Sequence, residues 1–280
     1  MAAPRNNQRT LATFPGHLVL LGAGKMGSAM LECWLKRGLR ADKVIVLEPQ
    51  PGKAVKAQAR RGLKLNPKGK LAPATAVVIA VKPQTAPEAL PAVAPHAGKG
   101  TLVLSIMAGR TIGFLEKALP AGAAIVRAMP NTPAAIGRGI TVAVANNNVT
   151  TRQRKQASAL LAAIGAVEWT QDEALMDAVT AVSGSGPAYV FLLAEAMAKA
   201  GVAAGLPSEL AERLARETLA GSGELLHRSE LDAATLRRNV TSPGGTTAAA
   251  LEVLTGPGGF DELLAKAIAA ATRRGRELAG

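Results

Sequence analysis

The chain has 280 residues, enough for one large domain or two ordinary ones, and 48% of them are hydrophobic, so a real core is expected. Its single cysteine, Cys33, excludes an intrachain disulfide and fits a reducing compartment, while His17, His96 and His227 lie too far apart to expect a metal site. Net charge is +13 and uneven: residues 1–171 hold 23 Lys and Arg against 6 Asp and Glu, residues 172–280 hold 10 against 14, so the first half would attract a polyanion, a nucleic acid or a phosphorylated small molecule.

Residues 1–16 carry two arginines but no apolar run of signal-peptide length, and are expected to form a disordered tail. From Leu18 to about Thr170 short β-branched runs alternate with helical patterning. Residues 18–21 (LVLL), 44–47 (VIVL), 76–81 (AVVIAV), 101–106 (TLVLSI), 124–128 (AIVRA), 140–145 (ITVAVA) and 166–170 (AVEWT) read as strands, with helices such as 28–37, 111–119 and 151–164 between them. The unbroken apolar character of AVVIAV implies burial on both faces, as in a parallel sheet covered by helices.

After Gln171 the strand pattern stops. Helices are expected at 172–182, 187–201, 207–228, 231–239, 246–254 and 260–278, with Pro187 and Pro207 in first turns and Gly201, Gly205 and Gly256 at helix ends. The fold class is therefore α/β at the N-terminus, residues 17–170, followed by an all-α domain, residues 171–280. The helix over 187–201 is apolar nearly all round, with only Glu195 and Lys199 as a polar pair, and a second subunit is the economical way to cover it. Those two charges leave it short of a clean membrane span, so a soluble, cytoplasmic homo-oligomer without membrane contact is expected.

The first motif is LVLLGAGKMGSAM, a strand, then Gly-x-Gly-x-x-Gly, then a helix. Gly22 permits the tight turn, Gly24 admits a pyrophosphate to backbone N–H groups, and Gly27 lets the helix pack close to the strand, with Lys25 and Met26 between them. This is the dinucleotide turn of a Rossmann domain. Glu48 ends the second strand 21 residues beyond Gly27, where an acid accepts ribose hydroxyls of NADH and repels a 2′-phosphate; Lys53 and Lys56 follow and would favour NADPH, so both cofactors stay open. Two more loops fall at strand carboxyl ends: VKPQ (81–84), with Lys82 and Pro83, and MPNTP (129–133), with Asn131.

The second motif is VTSPGGTTAAALEVL, residues 240–254. Gly244 and Gly245 expose backbone N–H groups ahead of a helix that opens with Thr246 and Thr247, and Ser242 adds a third hydroxyl. The free N–H groups and the helix dipole form a cup for a carboxylate, with one hydroxyl to spare for a second polar atom. A similar loop, SGSGPAY (183–189), reads equally as structure or function. Alcohol oxidation normally uses a base such as His, Lys or Tyr, yet no histidine lies in either motif and the only tyrosine, Tyr189, sits in the apolar helix. A cyclic imine needs less: a carboxylate anchor, position, and one hydrogen bond to the ring nitrogen.

The run LRRNVTSPGGTTAAALEVL closely resembles the signature of 1-pyrroline-5-carboxylate reductases, the last enzyme of proline biosynthesis; AVTAVSGSGPAYVFLLAEAMAKAGVAAGL, AVKPQ and MPNTP resemble the same family. The resemblance implies a Rossmann domain, a helical dimerisation domain, dimers or rings of dimers, and hydride transfer from NADPH or NADH to an imine carbon of a small-molecule substrate. It implies that Thr247 points at the ring nitrogen as the catalytic hydroxyl, that Ser242, Gly244, Gly245 and Thr246 hold the carboxylate, and that Ala80, Lys82 and Pro83 line the nicotinamide ribose. Thr255, Gly27 and Glu48 depart from the family pattern; only Glu48 bears on function, through cofactor choice.

Two other readings compete. A reductase of a related imine, ketone or 3-hydroxy acid would typically have a lysine one turn into the helix after Gly186, yet none occurs before Lys199. A basic nucleic-acid-binding protein would suit the charge, but 2% aromatic residues leave little for base stacking, so no specific nucleic-acid partner is expected.

Overall fold

The computed structural model describes residues 10–69 and 73–279. The N-terminal elements run β1 (Leu18–Leu21), α1 (Lys25–Lys36), β2 (Val44–Leu47), α2 (Lys53–Ala59), β3 (Lys64–Leu65), β4 (Ala76–Ile79), α3 (Ala86–Ala89), β5 (Leu102–Ser105), α4 (Ile112–Ala118), β6 (Ala124–Met129), β7 (Gly139–Ala145), α5 (Thr151–Ala162), β8 (Gly165–Trp169) and α6 (Met176–Val179). The helical part continues as α7 (Gly186–Ala203), α8 (Ser208–Arg228), α9 (Ala233–Asn239), α10 (Thr246–Thr255) and α11 (Phe260–Ala279).

Among the described residues the strands form one sheet in the order β3-β2-β1-β4-β5-β6-β7-β8. Strands β1 to β6 are mutually parallel, β7 turns antiparallel to β6, and β8 runs parallel to β7. The apolar strands bury alternate residues on opposite faces. Leu18, Leu20, Val44, Val46, Ala76, Val78, Leu102 and Leu104 join one core layer with Trp34 of α1 and Leu160 of α5; Val19, Leu21, Ile45, Val77, Ile79 and Val103 join the other with Leu90, Leu115 and Met176. Each buried Val, Leu or Ile contributes about 1.5–3 kcal/mol, so this two-sided burial is the main force holding the sheet. Trp34 is fully buried and donates its indole N–H to the Leu160 carbonyl at 2.9 Å, which fixes α1 against α5.

The chain divides into two compact units, Met1–Gly184 with Thr272–Gly280, and Ser185–Ala271. The division falls beyond residue 171, where the strand pattern ends, because the intervening segment packs with the sheet. Met176 is buried in the second core layer, and Glu173 accepts hydrogen bonds from the Ile112 N–H and the Arg127 guanidinium, both at 2.8 Å. Instead of one helix over 172–182, that segment is a 3₁₀ turn at Glu173–Leu175, the single turn α6 and a π turn at Thr180–Gly184.

Three further expectations change. Of the tail assigned to residues 1–16, positions 1–9 lie outside the described residues, but Leu11 and Phe14 are buried in the core, and the Leu11 N–H donates to the Arg37 carbonyl at 3.0 Å. Residues 10–16 are thus ordered by two apolar side chains that the basic, polar context disguises. Gly201 lies inside α7 rather than at its end; a Cβ there would stand 3.2 Å from the Ala211 Cβ, so the glycine serves the close approach of α8, and the helix stops instead at Gly205, whose φ is +99°. Pro207 caps α8 from the position before its first residue, with φ −56° and ψ 140°.

Candidate active site

In the first unit, the glycine turn connects β1 to α1. Gly22 has φ +87°, in the left-handed region, and its N–H donates to the Leu47 carbonyl at 2.9 Å, so the turn is anchored to β2. At Gly27 a Cβ would run into the Gly22 carbonyl and stand 3.2 Å from the Ala80 Cβ; the helix start lies that close to the end of β4. Gly24 is the N-cap of α1, exposed, with no side-chain cap and open space where a Cβ would be. The first turn of α1, opening with Lys25 and Met26, carries no acidic residue. Unspent N–H donors, a positive helix end and open space above them fit a pyrophosphate.

The other cofactor candidates follow strands of the same sheet at their carboxyl ends: Glu48 after β2, Ala80, Lys82 and Pro83 after β4, and Asn131 after β6. Such an edge is where ligands bind in open α/β sheets. Glu48 is not free in it. One carboxylate oxygen accepts the Ala23 N–H at 2.8 Å, the other the Gln50 N–H at 2.9 Å. Asn66 holds the Glu48 main chain, accepting its N–H at 2.9 Å and donating to its carbonyl at 2.8 Å. Lys82 is exposed and caps the 3₁₀ turn that begins at Pro83. Asn131 uses its side-chain oxygen to accept the Ile140 N–H at 3.0 Å, closing the loop between β6 and β7.

Two residues that the sequence reading passed over belong here. Arg110, in the loop after β5, donates from Nε and Nη2 to the Pro83 carbonyl at 3.1 and 3.0 Å and lies 4.6 Å over the Phe114 ring, so it clamps the turn after β4. No local pattern marks it. Asn66 adopts φ +44°, which Asn tolerates better than most residues, and its position just before Pro67 was a turn signal. Cys33 lies on α1, and burial pushes its thiol pKa up, so it stays protonated at neutral pH.

In the second unit, the hydroxyl-rich run is a tight turn between α9 and α10. The Asp232 carboxylate caps α9 by accepting the Thr235 N–H at 2.7 Å, a bond that holds its pKa below the usual carboxylate value. Thr241 closes the other end of α9, donating its hydroxyl to the Arg237 carbonyl at 2.7 Å. The Gly245 N–H then donates back to the Ser242 carbonyl at 3.0 Å, Gly244 takes φ +70°, and Gly245 becomes the N-cap of α10. No side chain caps that helix although Ser242, Thr246 and Thr247 all stand at its mouth. Ser242, Gly244 and Thr246 are exposed, Gly245 and Thr247 half-buried. An ordinary capped helix would have spent one of these hydroxyls on its own N–H groups. Thr255 is the last residue of α10 and donates its hydroxyl to the Leu251 carbonyl, so its departure from the family pattern affects only the helix end.

Among the described residues no group of three or more His, Cys, Asp or Glu is placed to hold a metal ion, and no helix is long and apolar enough to cross a membrane. The α/β unit with its glycine turn and the helical unit with its unspent N-terminus together define a nicotinamide-nucleotide-dependent oxidoreductase. Residues 17–109 match the family model described as NADP oxidoreductase coenzyme F420-dependent, and residues 173–278 match the model for pyrroline-5-carboxylate reductase dimerisation. The pyrroline-5-carboxylate reductase of Pseudomonas aeruginosa is 39% identical over 264 residues, covering 94% of this chain and 96% of its own. The solved pyrroline-5-carboxylate reductase of Coxiella burnetii superposes with a TM-score of 0.87 at 32% identity, over 95% of this chain and 99% of that one. The Plasmodium falciparum pyrroline carboxylate reductase, solved with NADP bound, gives 0.80 at 30% identity, again over 95% and 99%. The chain belongs to the pyrroline-5-carboxylate reductase family. The expected architecture, a Rossmann domain followed by an all-helical dimerisation domain, is the one found, and the dimerisation domain makes the protein a homo-oligomer.

Proposed function

We propose that the protein reduces 1-pyrroline-5-carboxylate to L-proline with NADPH or NADH, as the last step of proline biosynthesis in the cytoplasm. The observation that carries this reading is the entrance of α10, where three hydroxyl side chains and two glycines surround a helix N-terminus that no side chain caps. Gly244 and Thr246 present N–H groups to the substrate carboxylate and Ser242 adds its hydroxyl; Gly245, whose N–H is taken by the Ser242 carbonyl, lets the backbone come close instead of donating, and Thr247 donates a hydrogen bond to the ring nitrogen. The N–H groups and the helix dipole supply the anion with a counter-field that a solvated loop lacks.

In the first domain, residues 17–170, the Gly22–Gly27 turn holds the pyrophosphate with Lys25 and Met26, Glu48 takes the adenosine ribose, and Ala80, Lys82, Pro83 and Asn131 line the nicotinamide side. The cofactor, when bound, would supply hydride to the imine carbon and solvent the proton that the ring nitrogen takes up; the chain supplies placement and the hydrogen bond at nitrogen. The helical domain, residues 171–280, joins subunits into dimers or rings of dimers, with no specific nucleic-acid partner.

Steady-state kinetics test this reading. Purified protein is expected to oxidise reduced nucleotide only when pyrroline carboxylate is added. Thr247→Ala is expected to lower kcat by about 100-fold, the scale of losing one donor aimed at developing charge, with nucleotide affinity unchanged. A Thr247→Ala enzyme as fast as wild type would remove the assigned role.

A further inference from the structure

We infer that Glu48 is a fixed anion that makes this enzyme bind NADH in preference to NADPH, and that Asn66 is the positioning residue that fixes it. The inference rests on the reading of residues 17–170 as the nucleotide domain. An acid at the end of β2 discriminates against a 2′-phosphate only as far as it stays in place, since a surface glutamate has freedom to swing into water and admit the phosphate. Here both carboxylate oxygens are already engaged, by the N–H groups of Ala23 and Gln50 at 2.8 and 2.9 Å. Ala23 is itself buried, 7% exposed, so its N–H has no ready substitute acceptor in water if Glu48 leaves.

The main chain of Glu48 is equally constrained. Asn66 pairs with both its N–H and its carbonyl, and the Asn66 N–H donates to the Val46 carbonyl at 2.9 Å. The ends of β1, β2 and β3 are thereby joined through one residue, β1 by its carboxylate and β3 by its main chain. Neutral N–H partners leave its charge intact, and each oxygen keeps a lone pair for a ribose hydroxyl. A ribose diol finds acceptors ready, whereas a 2′-phosphate meets a negative charge that cannot retreat without breaking two hydrogen bonds, one of them to the phosphate turn itself. Lys53 and Lys56 of α2 pull the other way, but both are exposed, and water and salt screen them.

Binding titrations of the full chain with NADH and NADPH, and with ADP-ribose and its 2′-phosphate as nicotinamide-free probes, decide the matter. NADH is expected to bind at least about tenfold more tightly than NADPH, with the same order for the two fragments. Glu48→Ser is expected to invert the ratio, and Asn66→Ala to bring it within about threefold of unity with near-ultraviolet circular dichroism unchanged. A purely structural loss would weaken both nucleotides alike. Should Glu48→Ser not fold, the isosteric Glu48→Gln serves, with the ratio expected to fall towards one. Equal affinities or an NADPH preference in the wild type, or a ratio that neither variant moves, would overturn the inference while leaving the reductase reading in place. Failure of all four compounds to bind would sink the reductase reading and this inference together.

Discussion

Arg127 points from β6 into a nearly dry setting, its side chain 5% exposed, with Glu173 at 2.8 Å and Asp177 at 4.0 Å. Removing one member of such a pair leaves the other charge unpaired, which costs about 3–5 kcal/mol for full burial. Glu173 is 30% exposed and Asp177 remains nearby, so Glu173→Ala is expected to lower unfolding stability by about 2–3 kcal/mol in urea denaturation. Glu173→Gln keeps an acceptor for the Ile112 N–H and should lose less. Arg110 has a different task, because its two bonds fall on a turn beside the proposed nicotinamide site. Arg110→Ala is expected to raise KM for reduced nucleotide several-fold with KM for pyrroline carboxylate little changed, a split that two-substrate kinetics will read.

Helix α9 delivers the chain into the hydroxyl-rich turn, and Asp232 fixes where it begins. Its pKa is depressed by the Thr235 N–H bond, so the stability it contributes is present above the unfolded carboxylate value of about 3.9 and is lost as pH falls through the lower folded value. Protection of the Thr235 and Leu236 amides, taken relative to their intrinsic exchange at each pH, is expected to hold down to about pH 4 and to fall below it; Asp232→Ala should show the reduced protection already at pH 7. The seven strands expected between Leu18 and Thr170 all form; in β1, β2, β4 and β5 two-sided burial writes itself into the sequence as apolar runs, whereas β8 buries no residue fully and shows only its β-branched and aromatic content. The two-residue β3 and the polar α2 went unread, since neither is long enough or apolar enough to show a period. The glycine turn and the α10 entrance were legible because their chemistry depends on glycines and hydroxyls close in sequence. The grip of Asn66 on Glu48 was not, as it joins residues 18 apart through the pairing of β2 with β3, which no local pattern announces.

At the scale of the whole molecule, α7 leaves Val190, Phe191 and Leu192 exposed by 50%, 62% and 62% in a single chain, and α10 leaves Val253 at 77%. Apolar side chains of this size, each worth about 1.5–3 kcal/mol when covered, fit the dimerisation role of this region. The double substitution Phe191→Glu with Leu192→Glu is expected to convert the oligomer to monomers in light scattering, with nucleotide affinity of the first unit retained. The last turns of α11 act elsewhere. Residues from Thr272 onward belong to the first compact unit, where Gly275 lies 3.2 Å, by its absent Cβ, from the Asp177 carboxylate and Gly109 touches the backbone at Leu278. During translation, therefore, the nucleotide-binding half emerges long before its own final piece, and must wait for the remainder of the polypeptide to leave the ribosome before that seam can close.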